Sequence, residues 1–434
     1  MVTVINSGQH MNVLLISANT ETINMIPLPL GMNCVAVAAR NAGHDVHTLD
    51  LMGAGDNDKL TCKAIQQSKP DLIGVSVRNV DNQHMAETRF LLEPVRNIIA
   101  QCRAFSNAVI VIGGAGFSIF PHAVLRYLKA DMGICGEGEV AFTALIEALE
   151  RGDNLSCIAG LCLPGEPVQM LGTEMAKLNT LPLPDPSLWS VPSGSKNEIW
   201  IPYQTRRGCP MKCVYCSTPA LEGTVIRKHS IDEIVGGIAR HVAAGFSSFY
   251  FVDNTFNFPP DYTKELCASL AAANLDIRWR CILYPGFVDE EMVQLMAKAG
   301  CVEASLGFES GSPEILKNLN KKYTIEQVRI TSNLLKKYGI KRMGFLLLGG
   351  PGETRETVQQ SLAFADSLQL DMLKLTMGIR IYPGTALEKI ARKEGIVAEG
   401  DDLLLPRFYL ASGLEEWLAP TIRLWMADRL YCTI

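Results

Sequence analysis

The chain has 434 residues and a formal net charge of -5, from 40 basic and 45 acidic side chains. This length allows two or three domains with large cores, and 48% hydrophobic with 20% charged residues is the balance of a globular protein. No long basic run indicates a nucleic-acid-binding surface, and no apolar run of about 18 residues predicts a membrane-spanning helix, so neither partner is expected.

The first residues, MVTVINSGQHMNVLLISAN, lack a basic segment followed by an apolar segment and a cleavage site. They do not have the pattern of a secretory signal, so we expect a cytoplasmic location. The 13 cysteines of the chain fit this expectation, because thiols stay reduced in that compartment.

The first half alternates short apolar strands with helical stretches. The predicted strands are MNVLLISAN, DVHTLDL, DLIGVSV, AVIVIGG and DMGICG. Strands that are rich in valine, isoleucine and leucine and separated by helices are typical of a buried parallel sheet. We therefore predict an α/β, doubly wound, flavodoxin-like domain over residues 1–163, with a ligand at the carboxyl ends of its strands. Gly113-Gly114 and Gly136-Glu137 follow two of these strands, where glycine allows a tight turn or a close approach of the backbone to a ligand.

Residues 164–197 interrupt the alternation. Four prolines stand close together in this stretch: Pro182, Pro184, Pro186 and Pro192. Such a composition predicts an extended linker between two domains.

A second alternation begins at residue 198. Its predicted strands are EIWIPYQ, SSFYFVD, IRWRCILY, CVEASLGFE, KRMGFLLLG and MLKLTMGI. A closed barrel needs eight such units, so we predict an open, partial (β/α)6 barrel over residues 198–395. Residues 396–434 contain Trp417 and Trp425 and are interpreted as a packed helical tail, with a role in closing a substrate pocket as the alternative.

Three cysteines lie within eight residues in RRGCPMKCVYCSTP, as Cys209-x3-Cys213-x2-Cys216, just after the first barrel strand. A structural zinc site needs four ligands, usually two close pairs, and a disulfide would leave one cysteine over. Three thiolates on a four-iron cube would leave one iron open to a ligand that is not protein. Among the other cysteines, Cys157 and Cys162 could form a second ligand pair, but the scattered ones are interpreted as small buried hydrophobes.

Strand alternation places several polar residues on one face of the barrel strands. The predicted lumenal sets are Glu303, Ser305, Gly307 and Glu309; Arg278, Arg280 and Tyr284; and Lys374, Thr376, Gly378 and Arg380. We interpret them as a site that converges on the lumen at the cysteine end, with solvated strand ends as the alternative.

The cysteine spacing, with Tyr215 before the last cysteine, resembles the signature of the radical S-adenosylmethionine (SAM) enzymes. SLGFESGSPEILKNLNK, LLLGGPGET and IYPGT are similar to later barrel segments of the cobalamin-associated branch of that family. PLPLGMNCVAVAARNAGHDVHTLDL, VIGGAGFSIFP and ICGEGEVAF are similar to its cobalamin-binding domain. The resemblance covers about residues 11–395. A DxHxxG motif is absent, which implies cobalamin bound base-off without a protein nitrogen ligand.

The resemblance implies roles for individual residues. Cys209, Cys213 and Cys216 would bind a [4Fe-4S] cluster whose open iron chelates the amine and carboxylate of SAM. The second barrel strand ends in FVDNTF, where many members carry GGE to bind the SAM amine. The candidates for SAM binding are Glu309 for the ribose hydroxyls, Arg280 or Arg380 for the carboxylate, Tyr215 and Tyr382 for the adenine, and Asp253 of FVDNTF. The candidates for the cobalamin nucleotide tail are Ser76, Gly113, Gly114, Gly136 and Glu137.

The function that the resemblance implies is that of a cobalamin-dependent radical SAM methyltransferase. In that mechanism cobalt(I) takes a methyl group from one SAM, and a second SAM yields a 5′-deoxyadenosyl radical that removes hydrogen from an unactivated carbon. The substrate radical then takes the methyl group from methylcobalamin. A reductant such as flavodoxin or ferredoxin is an expected partner, and a small molecule, a lipid or a peptide is the expected substrate.

Three alternatives stay open at this point. A cyclase or rearrangement enzyme would use the same cofactors without methyl transfer. A methylthiotransferase would bring a second cluster in its first domain, where the cysteines of this chain are scattered. A sensor or carrier of cobalamin or electrons would not be an enzyme at all.

Overall fold

The computed structural model describes residues 10–21, 28–52, 55–168, 177–191, 196 and 199–433. They form two compact units. The first comprises the described residues up to Asn82, Arg89–Ile199 and Ala220–Glu222, and the second comprises Gln83–Thr88, Trp200–Pro219 and the described residues from Gly223 onward. The predictions on the first nine residues, and those on Pro27 and Pro192, fall outside the described residues.

A six-stranded sheet forms the centre of the first unit, in the order β2-β1-β3-β4-β5-β6. The first five strands are parallel, and β6 is antiparallel to β5. The order 2-1-3-4-5 is that of a flavodoxin-like sheet, so the predicted fold class is confirmed here. The strands are β1 (Asn12–Ser17), β2 (Asp45–Asp50), β3 (Leu72–Ser76), β4 (Val109–Gly113), β5 (Met132–Ile134) and β6 (Leu161–Cys162).

Helices cover this sheet and exclude water from its apolar side chains. Val13 and Ile16 of β1 are fully buried, as expected for a parallel strand that is covered on both faces. Helix α1 packs against α6, and α2 packs against α3. The helices are α1 (Leu30–Asn41), α2 (Asn57–Ser68), α3 (Leu92–Phe105), α4 (Ala115–Ile119), α5 (Pro121–Leu128) and α6 (Gly138–Arg151).

The predicted linker contains short 3-10 turns at Leu178–Thr180 and Pro186–Leu188 in its described part. It is attached to α1 through Asn33, whose side-chain amide donates to the carbonyl of Asp185 at 3.0 Å and accepts from the amide of Asp185 at 2.8 Å. Because Asn33 is buried, both polar groups of its side chain need such partners.

A seven-stranded parallel sheet forms the centre of the second unit, in the order β17-β14-β13-β12-β11-β10-β7. The six predicted barrel strands are present, and the sheet is open, with β7 and β17 at its edges. These strands are β7 (Ile201–Tyr203), β10 (Ser248–Phe251), β11 (Arg278–Leu283), β12 (Cys301–Glu309), β13 (Lys341–Leu348), β14 (Met372–Met377) and β17 (Cys432–Thr433).

Two small antiparallel pairs accompany this sheet. They are β8 (Arg206–Arg207) with β9 (Arg227–Lys228), and β15 (Ile379–Arg380) with β16 (Phe408–Tyr409). The remaining helices are α7 (Thr218–Glu222), which is divided between the units, and α8 (Ile231–Ala243), α9 (Pro260–Ala273), α10 (Glu290–Lys298), α11 (Pro313–Asn318), α12 (Ile325–Lys337), α13 (Arg355–Leu368), α14 (Ala386–Lys393) and α15 (Leu418–Met426).

The carboxyl-terminal segment differs from the helical tail that the sequence predicts. It contains α15, but it also contributes β16 and the seventh sheet strand β17, which pairs with β14 through Leu373–Cys432 and Lys374–Thr433. A strand of two residues is too short to show a periodic pattern, which is why the prediction missed it. Among the described residues, no helix combines the length and the apolar character that crossing a membrane requires.

Candidate functional site

The three cysteines lie on the loop between β8 and α7. Gly208 (φ 95°) and Lys212 (φ 53°) take left-handed backbone conformations, which fold the loop back on itself. None of the three forms a disulfide with a described residue, and all three residues are half-buried. The Sγ of Cys209 lies 3.9 Å from Thr255 Oγ1, and the Sγ of Cys216 lies 3.3 Å from Thr218 Oγ1.

The trio fits an iron–sulfur cluster. Burial raises the pKa of the Cys213 thiol, the positive charge of Lys321 opposes this, and the charges of Cys216, Glu309 and Cys209 raise the pKa further. Within the described ranges, no group of three His, Cys, Asp or Glu side chains converges on one metal ion. Three cysteines on one short loop can each supply a thiolate to a different iron of a four-iron cube.

A buried polar triad stands beside the trio. Lys321 Nζ donates to Tyr215 OH at 3.0 Å and to Glu309 Oε1 at 3.1 Å, and the Tyr215 hydroxyl donates to the same Oε1 at 3.0 Å. The Lys321 and Glu309 side chains are 5% and 13% exposed. Burial is the largest single influence and opposes the charge of Lys321, but Glu309, Tyr215, Tyr323 and Cys213 together hold the lysine pKa well above its usual range. Burial, followed by the Glu309 charge, likewise raises the pKa of Tyr215 well above its ordinary value.

Glu309 has an unusual backbone at the end of β12. Its φ is 57°, in the left-handed region, and the pairing of β12 with β13 is irregular between Gly307 and Glu309. Left-handed backbone costs a residue with a side chain about 1 kcal/mol or more. Oε1 is occupied by Tyr215 and Lys321, while Oε2 makes no hydrogen bond with any described residue, so one carboxylate oxygen is left for a ligand.

The two arginines predicted to bind the SAM carboxylate have partners elsewhere in the second unit. The Arg280 guanidinium lies 4.3 Å from the Trp200 ring centroid, 5.1 Å from that of Tyr250 and 3.8 Å from Glu303. Their role in SAM binding stays a prediction.

Arg380 is buried against the carboxyl-terminal segment. It donates to the carbonyls of Ile381 at 2.6 Å and Leu403 at 2.8 Å, and its guanidinium lies 5.3 Å from the Tyr382 ring centroid. The predicted contact of Tyr382 with adenine also stays a prediction.

Asp253 is fully buried and braces the start of the cysteine loop. Its carboxylate accepts from the amides of Thr205 at 2.7 Å and Arg206 at 3.0 Å, and from the Thr205 hydroxyl at 2.6 Å. Burial raises the Asp253 pKa, and the Arg206 guanidinium 3.5 Å away opposes that rise. The observed role of Asp253 is thus to position the loop, and its predicted contact with a cofactor stays a prediction.

The residues predicted to bind cobalamin lie at one edge of the first sheet. Ser76 and Gly113 are register partners at the carboxyl ends of β3 and β4. Ser118 Oγ donates to the carbonyl of Gly114 and accepts from the amide of Gly136, both at 2.9 Å. Glu137 follows immediately and precedes α6.

Gly114 shows how closely the backbone is packed at this edge. Its φ is 97°, and a Cβ there would lie 2.7 Å from the carbonyl oxygen of Val77. No side chain fits at that position without displacing β3 or its following loop. A pocket at the same edge is lined by Asn19, Glu21 and Arg78, among others. This edge therefore fits the ligand position expected for the fold.

Sequence reasoning did not identify Lys321 or its neighbour Asn320. Asn320 Nδ2 donates to the carbonyl of Lys212 inside the cysteine loop at 2.7 Å. Lys321 is the last residue of SLGFESGSPEILKNLNK, so the stretch that carries the family resemblance contained it. Nothing in a single sequence distinguishes this lysine from an exposed one.

Two family models match the chain. The model of the radical SAM superfamily matches residues 203–365, and that of the B12 binding domain matches residues 16–146. An uncharacterized methyltransferase of Pyrococcus horikoshii is 28% identical over 397 residues, which are 88% of this chain and 83% of the relative.

Two solved structures share the fold. The radical SAM methyltransferase TsrM of Kitasatospora setae, with its tryptophan substrate and a SAM analogue, has a TM-score of 0.86 and 24% identity over 97% of this chain and 90% of TsrM. TsrM with cobalamin and a [4Fe-4S] cluster has a TM-score of 0.83 and 22% identity, and the alignment covers 98% of this chain and 91% of that one.

Proposed function

Because this chain is a cobalamin-dependent radical SAM enzyme, with a [4Fe-4S] cluster, SAM and cobalamin as its cofactors, we propose that it transfers a methyl group from SAM to an unactivated carbon of its substrate. The observation that carries the proposal is the pairing, in one chain, of a match to the B12 binding domain with the Cys209, Cys213 and Cys216 trio inside a match to the radical SAM superfamily. An unactivated carbon offers no polar nucleophile, so a methyl transfer to it calls for both a radical generator and a methyl carrier.

When bound, the cluster supplies the electron that cleaves SAM, and cobalamin carries the methyl group. Cys209, Cys213 and Cys216 would hold three irons. Glu309 would accept the SAM ribose hydroxyls through its unoccupied Oε2, while Lys321 balances its charge. Tyr215 connects the two groups of residues, because it lies in the cysteine loop and its hydroxyl donates to Glu309 Oε1 at 3.0 Å.

The first unit would bind cobalamin at the carboxyl edge of its sheet. The proposed contacts with the nucleotide tail come from Ser76, Gly113, Gly114, Gly136 and Glu137. Glycines occupy the strand ends there, and because they have no side chains a large ligand can approach the backbone closely.

The names of two similar proteins favour methyl transfer over the alternative reactions. The Pyrococcus horikoshii relative is called a methyltransferase, and TsrM is a methyltransferase that acts on tryptophan. For this chain we propose a small-molecule, lipid or peptide substrate and an electron donor such as flavodoxin or ferredoxin.

The test measures both SAM-derived products. Protein reconstituted anaerobically with iron, sulfide and hydroxocobalamin is reduced and given SAM and a panel of substrates. We expect S-adenosylhomocysteine and 5′-deoxyadenosine to form together with the true substrate, and neither to form above background in a Cys213→Ala variant. 5′-Deoxyadenosine without S-adenosylhomocysteine would indicate a cyclase or rearrangement instead. S-Adenosylhomocysteine alone would contradict an unactivated carbon as the acceptor.

A further inference from the structure

The segment Leu319–Tyr323, which we call the clamp segment, follows α11 and runs along the cysteine loop. Three consecutive clamp residues each hold a different loop residue. The carbonyl of Leu319 accepts from the amide of Val214 at 3.2 Å. Asn320 Nδ2 donates to the carbonyl of Lys212 at 2.7 Å, and Lys321 Nζ donates to the hydroxyl of Tyr215 at 3.0 Å. All three contacts fall between the first and last cysteine of the trio.

The clamp segment is itself anchored to the barrel strands. The amide of Lys322 donates to the hydroxyl of Tyr284 at 2.6 Å, and the hydroxyl of Tyr323 donates to the carbonyl of Gly307 at 2.6 Å. The rings of Tyr284 and Tyr323 meet edge to face, with centroids 4.9 Å apart. The next two residues of the clamp segment therefore fix it to the end of β11 and to β12.

The start of the clamp segment is also held by α11. The amide of Leu319 donates to the carbonyl of Ile315 at 2.9 Å, and the amide of Lys321 donates to that of Leu316 at 2.8 Å. Asn320 between them is left-handed, with φ 58°, a conformation that asparagine tolerates better than most residues. The clamp segment is thus a turn that hydrogen-bonds to the cysteine loop, to the barrel strands and to α11.

We propose that the clamp segment holds the cysteine loop in its ligating shape independently of the cluster, and that Lys321 is a positioning residue for both the cluster and SAM. This inference rests on the proposed function of the same site and deepens it. Fixing the backbone of a loop costs conformational entropy at every residue that becomes ordered. The contacts of the clamp segment offset part of that cost, so the thiols need not be ordered by iron alone.

Lys321 joins the two halves of the site. One ammonium holds the Tyr215 hydroxyl, which belongs to the cysteine loop, and the Glu309 carboxylate, which is the proposed ribose ligand. Its Nζ also lies 5.2 Å from the Tyr215 ring centroid. Replacing the lysine by methionine keeps the length of the side chain but leaves a buried carboxylate without a cation.

The test compares Lys321→Met with Lys317→Met, in which an exposed lysine at the end of α11 changes in the same way. Each protein is reconstituted anaerobically, and two quantities are measured. The first is the rate of iron release to a chelator. The second is the SAM concentration that gives a half-maximal change in the EPR spectrum of the reduced cluster.

We expect Lys321→Met to release iron about tenfold faster and to need about tenfold more SAM, which corresponds to about 1.4 kcal/mol for each effect. Lys321→Arg should recover part of both losses, because it keeps the cation. Asn320→Ala should release iron faster and leave the SAM requirement unchanged. If Lys321→Met cannot be produced as folded protein, Asn320→Ala alone tests the clamp segment. Lys317→Met should match the parent protein.

The role of Lys321 would be overturned if Lys321→Met and Lys317→Met released iron at the same rate and needed the same SAM concentration. Unchanged iron release in Asn320→Ala as well would overturn the clamp segment. Neither measurement depends on turnover, so such a result would leave the methyl transfer proposal standing. Conversely, a failure to form S-adenosylhomocysteine would leave these measurements intact.

Discussion

Glu353 is a buried carboxylic acid in the second unit, and only one of its two carboxyl oxygens accepts hydrogen bonds from described residues. Its Oε2 accepts from the amide of Gly349 and, at 3.0 Å, from that of Gly350. Its Oε1 is buried and makes no hydrogen bond within the described part of the chain. Burial raises the pKa of this carboxyl to about 7, although the two amides act in the opposite direction. The proton is therefore held more tightly in the folded protein than in the unfolded one.

This residue predicts a pH dependence of stability. Between the ordinary glutamate pKa of about 4.3 and the folded value of about 7, the folded state binds more protons, so the free energy of unfolding falls as the pH rises. The free energy of unfolding falls by at most about 3.5 kcal/mol, and the fall is complete above pH 7. Glu353→Gln should remove it, because an amide can accept from both glycines without carrying a charge.

Urea denaturation at pH 5 and pH 8 checks this expectation. The free energy of unfolding of the parent protein should fall between the two pH values. In Glu353→Gln it should fall by less than about half of the parent's decrease. Glu326→Gln, on the exposed face of α12, is the control and should follow the parent protein. An equal loss in Glu353→Gln and the parent would show that another group titrates.

At the scale of residues, the sequence predicts those functional side chains that stand in short motifs. The cysteine trio, Tyr215 and Glu309 stand in short motifs, and the structure brings them together. Lys321 was missed because it meets Tyr215 across 106 residues of sequence, a contact that depends on the folded chain. Strand parity places Arg380 on the lumenal face, but one of its hydrogen bonds goes to Leu403, in a segment whose path no periodic pattern indicates.

At the scale of elements, the carboxyl-terminal segment is attached to the barrel by Arg380 and by the short β15–β16 pair. The amide of Ala411 also donates to the carbonyl of Gly349 at 3.0 Å, at the end of β13. Long alternating strands such as β12 and β13 could be predicted because each has a buried face and a lumenal face. The two-residue strands β6, β16 and β17 could not, since tertiary pairing alone defines them.

Arg380→Met tests which role this arginine has. If the guanidinium mainly holds the segment, its loss leaves buried carbonyls without donors, costs about 2–4 kcal/mol, and exposes residues 396–411 to proteases. Limited proteolysis followed by mass spectrometry measures this, with Arg423→Met on the exposed face of α15 as the control. Unchanged cleavage together with a raised SAM requirement would instead support the carboxylate contact predicted from the sequence.

At the scale of the whole molecule, each unit carries the residues that we propose for a different cofactor. The division into two α/β halves could be predicted from the change of strand pattern around residues 164–197. The assignment of Gln83–Thr88 to the second unit could not, because the chain leaves the first unit there and returns to it at Arg89. Met85 of this stretch packs on Gly378, where a Cβ would lie 2.4 Å from the methionine sulfur.

Loading of the two cofactors should therefore be separable by mutation. Gly114→Ala places a Cβ against the carbonyl oxygen of Val77 and distorts the proposed cobalamin edge. We expect corrinoid to fall about tenfold per chain, while iron stays at about four per chain. Gly236→Ala, at a helix glycine whose Cβ would make an ordinary 3.9 Å contact with Arg240 Nη1, should retain both cofactors. A parallel loss of iron in Gly114→Ala would show that the sites do not load independently.

The strained backbone at Glu309 has a consequence for engineering. Together with the buried charge of Lys321, it marks a place where the fold is less stable than it needs to be. The double change Glu309→Gly and Lys321→Met would relieve the left-handed strain and remove the buried ion pair at once. A selection that scores heat resistance without scoring chemistry would weigh this relief only against the two contacts that the Tyr215 hydroxyl loses, and nothing in it would preserve the proposed ribose ligand.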